Sequence, residues 1–351
     1  MAILVPLFLL LNAVAAQAGA DGRDGCAPSA LDRLQKDFVE IAGRVKPSVV
    51  EIRALKISTK QTAVGPSSST THIQETTVLA GVVLRKDGHI VTIAEPVVGA
   101  KSIHVRTSSG VEYPATIVGA DEETGLAVIK VNAPLEAIAL AADEEALVGS
   151  LVAAVGNSYG MAGSVSFGTL SGSDRTIESG KKRYAGLLQY TATVNPGDAG
   201  GLISNIKGDC IGIIFSSMEL RQAGGVPGFG GIGFAVPAGT VRFVADSLIS
   251  DRKVLRGWLG ITMSAIDPNL RAQLNLKNGV GAVVTQIDPG SPAEKAGFKP
   301  HDIILEASGR ELLDARKLMM DVIRTRKETA MKFRLLRGGT PLDIEALITV
   351  R

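Results

Sequence analysis

Short apolar runs, each ended by a turn residue, fill the middle of this chain and limit its fold more than any other feature. They recur from residue 78 to residue 241. Runs of this length, rich in Val and Ile, are typical of strands in a β-barrel or β-sandwich. The 40 glycines and the aromatic content of 4% fit a body of strands and tight turns. Strands are predicted at residues 81–84, 89–92, 102–105, 126–131 and 151–155.

Two segments before this region have different patterns. Residues 31–45 repeat apolar side chains at helical spacing, with Ser29 before them and Pro47 after them. This pattern predicts a helix. Residues 57–77 are rich in Ser and Thr and poor in apolar residues, so they are predicted to form a long mobile loop.

The last hundred residues form a separate pattern. A closing helix is predicted at residues 240–249, and the polar residues 250–256 are interpreted as a linker. A further helix is predicted at residues 314–325, where apolar side chains share one face. The accompanying strands are predicted at residues 281–285, 302–305, 331–335 and 342–346.

The first residues indicate export from the cytoplasm. Residues 1–18 carry no charged side chain, and their apolar run at 3–11 is too short to span a bilayer. The sequence Ala16, Gln17, Ala18 that follows has the small-x-small form of a signal-peptide cleavage site. An uncleaved N-terminal anchor is the alternative, since no Lys or Arg precedes the run. No other stretch is expected to cross a membrane.

Charge and cysteine content exclude several functions. A net charge of +2 gives no reason to expect a nucleic-acid partner. The two cysteines, Cys26 and Cys210, match no metal-binding spacing, and we expect neither a metal nor a cofactor. After export they could form a disulfide. Alternatively, Cys210 is a buried strand residue and Cys26 a thiol in a loose N-terminal segment.

Several motifs occur in a fixed order along the chain: KDGHIVT at 86–92, LAVIK at 126–130, VGSLVAAVGN at 148–157, NPG at 195–197 and GIGFAVP at 231–237. Together they resemble the protease domain of the HtrA (Deg) serine proteases, and the closing unit resembles the PDZ domain of that family. The resemblance runs from about residue 31 to residue 351. It implies a mainly β protein, with a chymotrypsin-like double β-barrel followed by a PDZ domain of small α+β fold.

The resemblance also implies how the chain is divided and where it acts. Residues 1–18 would be a signal peptide, 19–46 an N-terminal segment with a helix, 47–250 a protease-like domain and 256–351 a PDZ domain. A periplasmic location follows from the leader and the family together. Family members commonly form trimers, so a homo-trimer or a hetero-oligomer with an active relative is expected.

The family's catalytic triad is missing from the matching positions. Its chemistry requires a serine that a histidine activates and an aspartate orients. These positions hold Ala199, Glu95 and Gly125, and a methyl group cannot act as a nucleophile. We therefore expect no catalytic residue. The histidines that remain are interpreted as surface or packing residues: His72, His89, His104 and His301.

The loop around Ala199 has two possible remaining uses. The backbone of Gly197, Asp198 and Ala199 resembles an oxyanion hole, whose amides could hold a carbonyl or carboxylate group. Alternatively, its glycines serve the turn geometry alone. Glu95 and Asp198 could also form an acid–base pair, the alternative being two solvated acids with no catalytic role.

The PDZ-like unit retains more of its expected binding site. Its predicted peptide-binding loop consists of Trp258, Leu259, Gly260 and Ile261. Amides in such a loop can capture a C-terminal carboxylate, while the next strand pairs with the peptide. Leu318 and Val322 would shape a pocket for an apolar terminal side chain, or serve only in core packing. Arg256 is either a positive charge near the carboxylate or an exposed linker charge.

These features favour an inactive HtrA-like protein that binds C-terminal peptides or unfolded polypeptides, as a scaffold or chaperone in quality control of envelope proteins. One alternative is a serine endopeptidase with a rearranged site. Another is a regulatory subunit of an active HtrA protease.

Overall fold

The computed structural model describes residues 29–64, 67–179, 182–215, 231–277, 280–312 and 315–351. The described residues form two closed six-stranded β-barrels and a third, curled sheet. This confirms the expected mainly β fold. The predicted leader and Cys26 lie outside the described residues.

Helix α1 (Ala30–Val45) begins the described chain and confirms the helix predicted at residues 31–45. Ser29 and Asp32 form a capping box, in which each side chain bonds the backbone N–H of the other residue. Ile41 and Val45 are buried, so the helix packs through its last two turns.

The first barrel closes in the order β1-β2-β3-β6-β5-β4. Its elements are β1 (Val49–Val64), β2 (Ser67–Arg85), β3 (His89–Ile93), α2 (Ala94–Val97), β4 (Ser102–Arg106), β5 (Glu112–Asp121) and β6 (Leu126–Val131). Apolar side chains from β1, β2, β3 and β6 fill the interior, because successive side chains of a strand point to opposite faces.

The prediction of a mobile loop at residues 57–77 is wrong. The structure extends β1 and β2 through this segment as one antiparallel ribbon, in which Ile57 pairs with Gln74 and Ala54 with Thr77. The segment contains many threonines, which favour extended backbone because they are branched at Cβ. Its low apolar content reflects a ribbon that projects beyond the barrel core.

The second barrel closes in the order β10-β11-β12-β9-β8-β7. Its strands are β7 (Leu151–Ser158), β8 (Met161–Ser179), β9 (Lys182–Tyr190), β10 (Leu202–Ser204), β11 (Cys210–Phe215) and β12 (Gly233–Pro237). Cys210 is a free and buried thiol, which agrees with its interpretation as a buried strand residue. Burial raises its pKa to about 12.

Helix α3 (Ala238–Asp251) follows the second barrel and confirms the closing helix predicted at residues 240–249. Val241, Val244 and Leu248 of this helix join the core of the first barrel. Leu202 and Ile213 of the second barrel belong to the same buried cluster. Helix α3 and one side of the second barrel therefore pack into the core of the first barrel, while the rest of the second barrel has a buried cluster of its own.

The third sheet begins at residue 257 and has the strand order β13-β19-β18-β16-β15-β14, with β17 paired to β16. Its elements are β13 (Gly257–Trp258), β14 (Ile261–Ala265), α4 (Pro268–Gln273), β15 (Ala282–Ile287), α5 (Pro292–Ala296), β16 (Ile303–Ala307), β17 (Arg310–Glu311), α6 (Ala315–Ile323), β18 (Thr329–Arg337) and β19 (Thr340–Val350). Strand β14 lies at the edge, so one side of its backbone remains available for pairing.

The segment expected to be a polar linker is packed against the first barrel instead. Arg256 donates to both carboxylate oxygens of Asp121 at 3.0 and 2.7 Å, and the two side chains are only 16% and 7% exposed. Burial alone would raise the pKa of Asp121, but the bonds from Arg256 and Thr124 outweigh it and lower that pKa. Asp121 therefore stabilises the fold above its ordinary pKa of 3.8, and this contribution is lost as the pH falls through the lowered value.

Within the ranges described above, no helix has both the length and the apolar character needed to cross a membrane.

Arg256→Gln should destabilise the protein, because it leaves the buried carboxylate of Asp121 without its charged partner. We expect a loss of about 3 kcal/mol in the free energy of unfolding, measured by urea denaturation. Arg334→Gln is the matched control, since Arg334 is 53% exposed and its ion pair with Asp343 lies at the surface. Equal effects of the two substitutions would contradict a structural role for the Arg256 pair.

Candidate functional site

The loop at residues 195–201, here called the cleft loop, depends on glycine at two positions. Gly197 has a φ of +99° and Gly200 a φ of +83°. A Cβ on Gly197 would overlap the carbonyl oxygen of Asn157, and one on Gly200 would overlap that of Ala80. The loop therefore keeps its shape through backbone packing, which needs no catalytic side chain.

Two backbone amides of the cleft loop have no partner in the described part of the chain. The N–H groups of Gly197 and Ala199 donate to no described residue, whereas the Asp198 N–H donates to the Asn195 carbonyl at 3.0 Å. Two of the three amides expected in the oxyanion-like turn are therefore open, and the third closes the turn itself.

The three positions that match the triad lie where the cleft loop meets the first barrel. The Ala199 carbonyl accepts from the Ala80 N–H at 2.9 Å. The hydroxyl of Thr92, on β3 just before Glu95, donates to the Ala80 carbonyl at 2.7 Å. The N–H of Ala94 donates to the Gly125 carbonyl at 2.8 Å, so the backbones at positions 95 and 125 are neighbours.

The space beside Gly125 is filled by aromatic rings. Its φ is +71°, and a Cβ built on it would lie 2.9 Å from the Phe215 ring and 3.3 Å from the Tyr184 ring. These two rings pack against each other at 4.5 Å between centroids. An aspartate at this position would need a different backbone and a repacked barrel wall.

Glu95 and Asp198 do not form the acid pair that the sequence left open. Glu95 is exposed on α2, where its carbonyl accepts from the Lys56 ammonium at 2.5 Å. Asp198 is 3% exposed and bonds other groups of the second barrel and the cleft loop. No contact joins the two carboxylates in the described residues.

The Asp198 carboxylate is held by groups close to it in the second barrel. Ser158 donates to both of its oxygens at 2.9 and 2.8 Å, and the Asn195 N–H donates at 2.7 Å. Burial raises the pKa of Asp198, although bonds from Asn195, Ser158 and the Asn157 backbone oppose the rise. Its protonation stabilises the fold most below its ordinary pKa of 3.8, and this contribution is lost as the pH rises through the raised value.

Two polar side chains near Asp198 are buried without a protein partner. Both polar atoms of the Asn157 side chain and the Tyr190 hydroxyl make no hydrogen bond to the described residues. Burial, with a smaller contribution from the Asp198 charge, raises the pKa of Tyr190. Unpaired groups of this kind commonly bind an internal water molecule.

The described bonds of His89, His104 and His301 go to groups outside the cleft loop. His89, at the start of β3, lies 2.7 Å from Asp87, and His104 lies 3.2 Å from Glu112. His301 has a φ of +71° in a turn and donates its N–H to the Val284 carbonyl. None of these three histidines is therefore bonded to the cleft loop as a base would be.

The third sheet forms a groove of about 610 Å³, here called the peptide groove. One wall is the loop at residues 258–261 with the edge strand β14, and the other is helix α6. The N–H groups of Leu259 and Gly260 donate to no described residue. Open amides next to an unpaired strand edge are the arrangement that holds an extended peptide by its C-terminus.

The predicted pocket residues belong to the groove and to the core at once. Leu318 and Val322 line it but are only 2% and 7% exposed, since they pack in the core of the third sheet. The neighbouring Met319 is 50% exposed and also lines the groove. Sequence reasoning missed Met319, although its place next to Leu318 on the predicted helix pointed to it.

The first barrel also contributes to the groove. Glu123, in the turn after Asp121, lines it and accepts from the Arg256 Nε at 3.0 Å. Arg256 is thus neither the free cation nor the exposed linker charge considered from the sequence. No sequence signal could have found this pairing, because it joins residues more than 130 positions apart.

Two protein-family models match this chain, the first on the barrels and the second on the third sheet. A trypsin-like peptidase domain matches residues 80–213, and a PDZ domain matches residues 257–348. The double barrel with its cleft loop, followed by a sheet with an open peptide groove, thus defines a trypsin-like domain joined to a PDZ domain.

Relatives in bacteria identify the family. A probable periplasmic serine endoprotease, DegP-like, of Chlamydia trachomatis is 34% identical over 270 residues, which are 77% of this chain and 53% of that protein. A second DegP-like protein, from Marinomonas, is 30% identical over 342 residues, which cover 90% of this chain and 71% of that protein. Among solved structures, the HtrA-type protease AlgW with tripeptide matches with a TM-score of 0.69 and 30% identity. The match covers 90% of this chain and 97% of the AlgW chain.

This chain belongs to the HtrA family of DegP-like serine proteases. It spans about half the length of the Chlamydia relatives it matches.

The rings beside Gly125 should make this position intolerant of any side chain. Gly125→Ala and Gly99→Ala test this, because both glycines have a φ near +70° but a Cβ on Gly99 meets no atom within 4 Å. We expect Gly99→Ala to cost about 1 kcal/mol through its backbone conformation alone. Gly125→Ala should cost about 2 kcal/mol more by overpacking, measured by urea denaturation. Equal losses would contradict the overlap.

Proposed function

We propose that this protein is a catalytically inactive member of the HtrA family that binds C-terminal peptides or unfolded polypeptides through its PDZ groove. The observation that carries the proposal is the contrast between its two sites. The triad position at Gly125 is filled by packed rings, whereas the peptide groove is open and has unpaired amides at one end.

The triad-equivalent positions support inactivity on chemical grounds. Glu95, Gly125 and Ala199 supply neither a nucleophile nor a base held by an orienting acid. The open amides of Gly197 and Ala199 are what remains of the oxyanion turn. When the triad of a serine protease is removed and only the oxyanion hole and substrate binding remain, turnover falls by about 10⁶-fold.

A rearranged site has little support from the serines near the loop. Among the described residues, Ser158 is the serine whose hydroxyl bonds the loop, at the Asp198 carboxylate. It is 8% exposed, so a polypeptide substrate would not reach it without local opening of the barrel.

The binding half of the proposal assigns roles to the groove residues. The loop Trp258, Leu259, Gly260 and Ile261 would hold the terminal carboxylate, and β14 would pair with the peptide backbone. Leu318, Val322 and Met319 would contact the terminal side chain. The HtrA-type protease AlgW has been solved with a tripeptide, which supports peptide binding in this family.

Location, assembly and domain division complete the proposal. DegP-like relatives are named periplasmic, and we propose the same compartment here, with residues 1–18 as a cleaved leader. Residues 47–250 would form the protease-like domain and 256–351 the PDZ domain. The protein would act as a homo-trimer or with an active relative as its regulatory subunit, and co-purification with such a relative would favour the second form.

The purified protein should show no serine-protease activity. We expect no labelling by a fluorophosphonate probe, which needs an activated serine, and no hydrolysis of unfolded casein. Ala199→Ser should remain unlabelled, because it restores the hydroxyl without a base. A catalytically active HtrA protease, assayed in parallel, is the positive control.

Casein hydrolysis that persists through further purification would favour the alternative of an active endopeptidase. Its loss in Ser158→Ala would then place the reaction at that serine.

The full chain should bind free C-terminal peptides with an apolar last residue more tightly than peptides ending in a charged residue. Met319→Gln should weaken this binding by about tenfold, since it removes apolar contact at the groove. Leu347→Gln is the matched control, because Leu347 is also 50% exposed but lies on β19 outside the groove. Fluorescence anisotropy of labelled decapeptides measures both effects.

A panel in which no peptide binds would contradict the binding role. Equal weakening by Met319→Gln and Leu347→Gln would place any binding elsewhere on the chain.

A further inference from the structure

A second cavity, of about 540 Å³, lies between the barrels and the third sheet and is here called the interdomain cavity. One wall includes the buried side chains of Leu188 and Ile211 from the second barrel and Phe243 from α3. The other includes Met320 of α6 and Arg324, which follows that helix. This volume falls within the range of about 300–1,000 Å³ that is typical of small-molecule sites, which often lie between domains.

The interdomain cavity differs from the peptide groove, although helix α6 borders both. Met319 and Ile323 line both spaces, as do Glu123 and Arg256. The described loop at residues 258–261 and the edge strand β14 contribute no lining residue to the interdomain cavity. A ligand in this cavity would therefore not meet the open amides at the end of the peptide groove.

The two walls of the interdomain cavity are held together by contacts of two arginines. A terminal nitrogen of Arg324 donates to the Asp143 carboxylate at 2.7 Å. The guanidinium of Arg326 lies 5.7 Å from the centroid of the Phe243 ring and donates to the Phe243 carbonyl at 3.3 Å. The cavity is thus formed before a ligand enters, which lowers the entropic cost of binding.

The interdomain cavity contains a donor that the protein leaves unpaired. The Nε of Arg324 is buried and makes no hydrogen bond to the described residues. A ligand with an acceptor group would supply this missing partner. The lining charges disfavour an anionic acceptor, because two arginines and three acids together carry one net negative charge: Arg256, Arg324, Glu123, Asp143 and Asp174. A neutral carbonyl oxygen meets both conditions.

We propose that the interdomain cavity binds a neutral acyl compound, in which an apolar chain or ring carries a ketone, ester or amide carbonyl. The apolar part contacts Leu188, Phe243 and Met320, and the carbonyl accepts from the Arg324 Nε. This site goes beyond the proposed function, since it uses neither the amides of the peptide groove nor the cleft loop.

An internal water molecule bonded to the Arg324 Nε makes a different prediction. Water would satisfy the donor on its own, so a carbonyl on the ligand would add nothing to binding. Two matched fluorescent probes separate these cases. Prodan is a neutral dimethylaminonaphthalene that carries a propionyl ketone, and N,N-dimethylnaphthylamine has the same ring system without the ketone.

The first experiment titrates the full chain with each probe and follows the fluorescence. Prodan should bind more tightly than the ketone-free probe, and its emission should shift to shorter wavelength in an apolar site. Arg324→Lys keeps a cation for Asp143 but removes the Nε donor. This substitution should weaken prodan about fivefold, the effect of one hydrogen bond, and leave the ketone-free probe unchanged.

The second experiment locates the site. Ala142 lines the interdomain cavity and is exposed, so Ala142→Trp would narrow the mouth and should weaken both probes about tenfold. Ala272→Trp is the matched control, because Ala272 is also exposed but lies on α4 outside both cavities. Thr262→Trp crowds the peptide groove instead. Neither of these two substitutions should change the affinity for prodan.

Three results would overturn the inference. Equal affinities of the two probes, or equal effects of Arg324→Lys on both, would assign the Nε to internal water. Prodan binding that survives Ala142→Trp, or that is lost in Thr262→Trp, would place the probe outside the interdomain cavity. Absence of binding by both probes would remove the site, while the proposed function would stand on its separate peptide measurements. Circular dichroism of each variant checks that the fold is intact.

Discussion

The bidentate pair between Arg256 and Asp121 fixes where the two halves of this molecule meet. Asp121 ends β5, and its carboxylate also accepts the Thr124 N–H in the turn that leads to Gly125. Arg256 directly precedes the strand that opens the PDZ unit. Both side chains are largely withdrawn from water, so removing either one would leave the other as an unpaired buried charge, at a cost of several kcal/mol. The peptide groove and the position at Gly125 therefore lie against one turn.

The cleft loop and the position at Gly125 are held in place by different kinds of contact. The loop is held by backbone contacts, such as the bond from Ala80 to the Ala199 carbonyl, which do not depend on the side chain at 199. Beside Gly125, the Phe215 and Tyr184 rings occupy the volume that an aspartate would need. A serine at position 199 would therefore be a small change for this fold, whereas an aspartate at position 125 would require repacking of the barrel wall.

Much of the fold could be predicted from the sequence because its signals are local. Helix α1 follows from apolar spacing and from Ser29, and the barrel strands follow from short Val- and Ile-rich runs between turn residues. Residues 57–77 were assigned wrongly, since composition does not distinguish a polar ribbon from a loop when its pairing partner is itself polar. The contact of Arg256 with Asp121 and Glu123 could not be predicted, because it depends on how two separately folded units dock.

The peptide groove and the positions of Glu95, Gly125 and Ala199 are built from different parts of the molecule. The groove depends on the amides of Leu259 and Gly260, on the free edge of β14, and on a core around Phe333 that is separate from that of the barrels. Glu95 and Ala199 contribute nothing to these. The turn after Asp121 links the barrels to the groove, because Glu123 pairs with Arg256 there, and a further contact joins Arg324, just after α6, to Asp143 at 2.7 Å. A change at that turn would thus reach both the position at Gly125 and the wall of the groove.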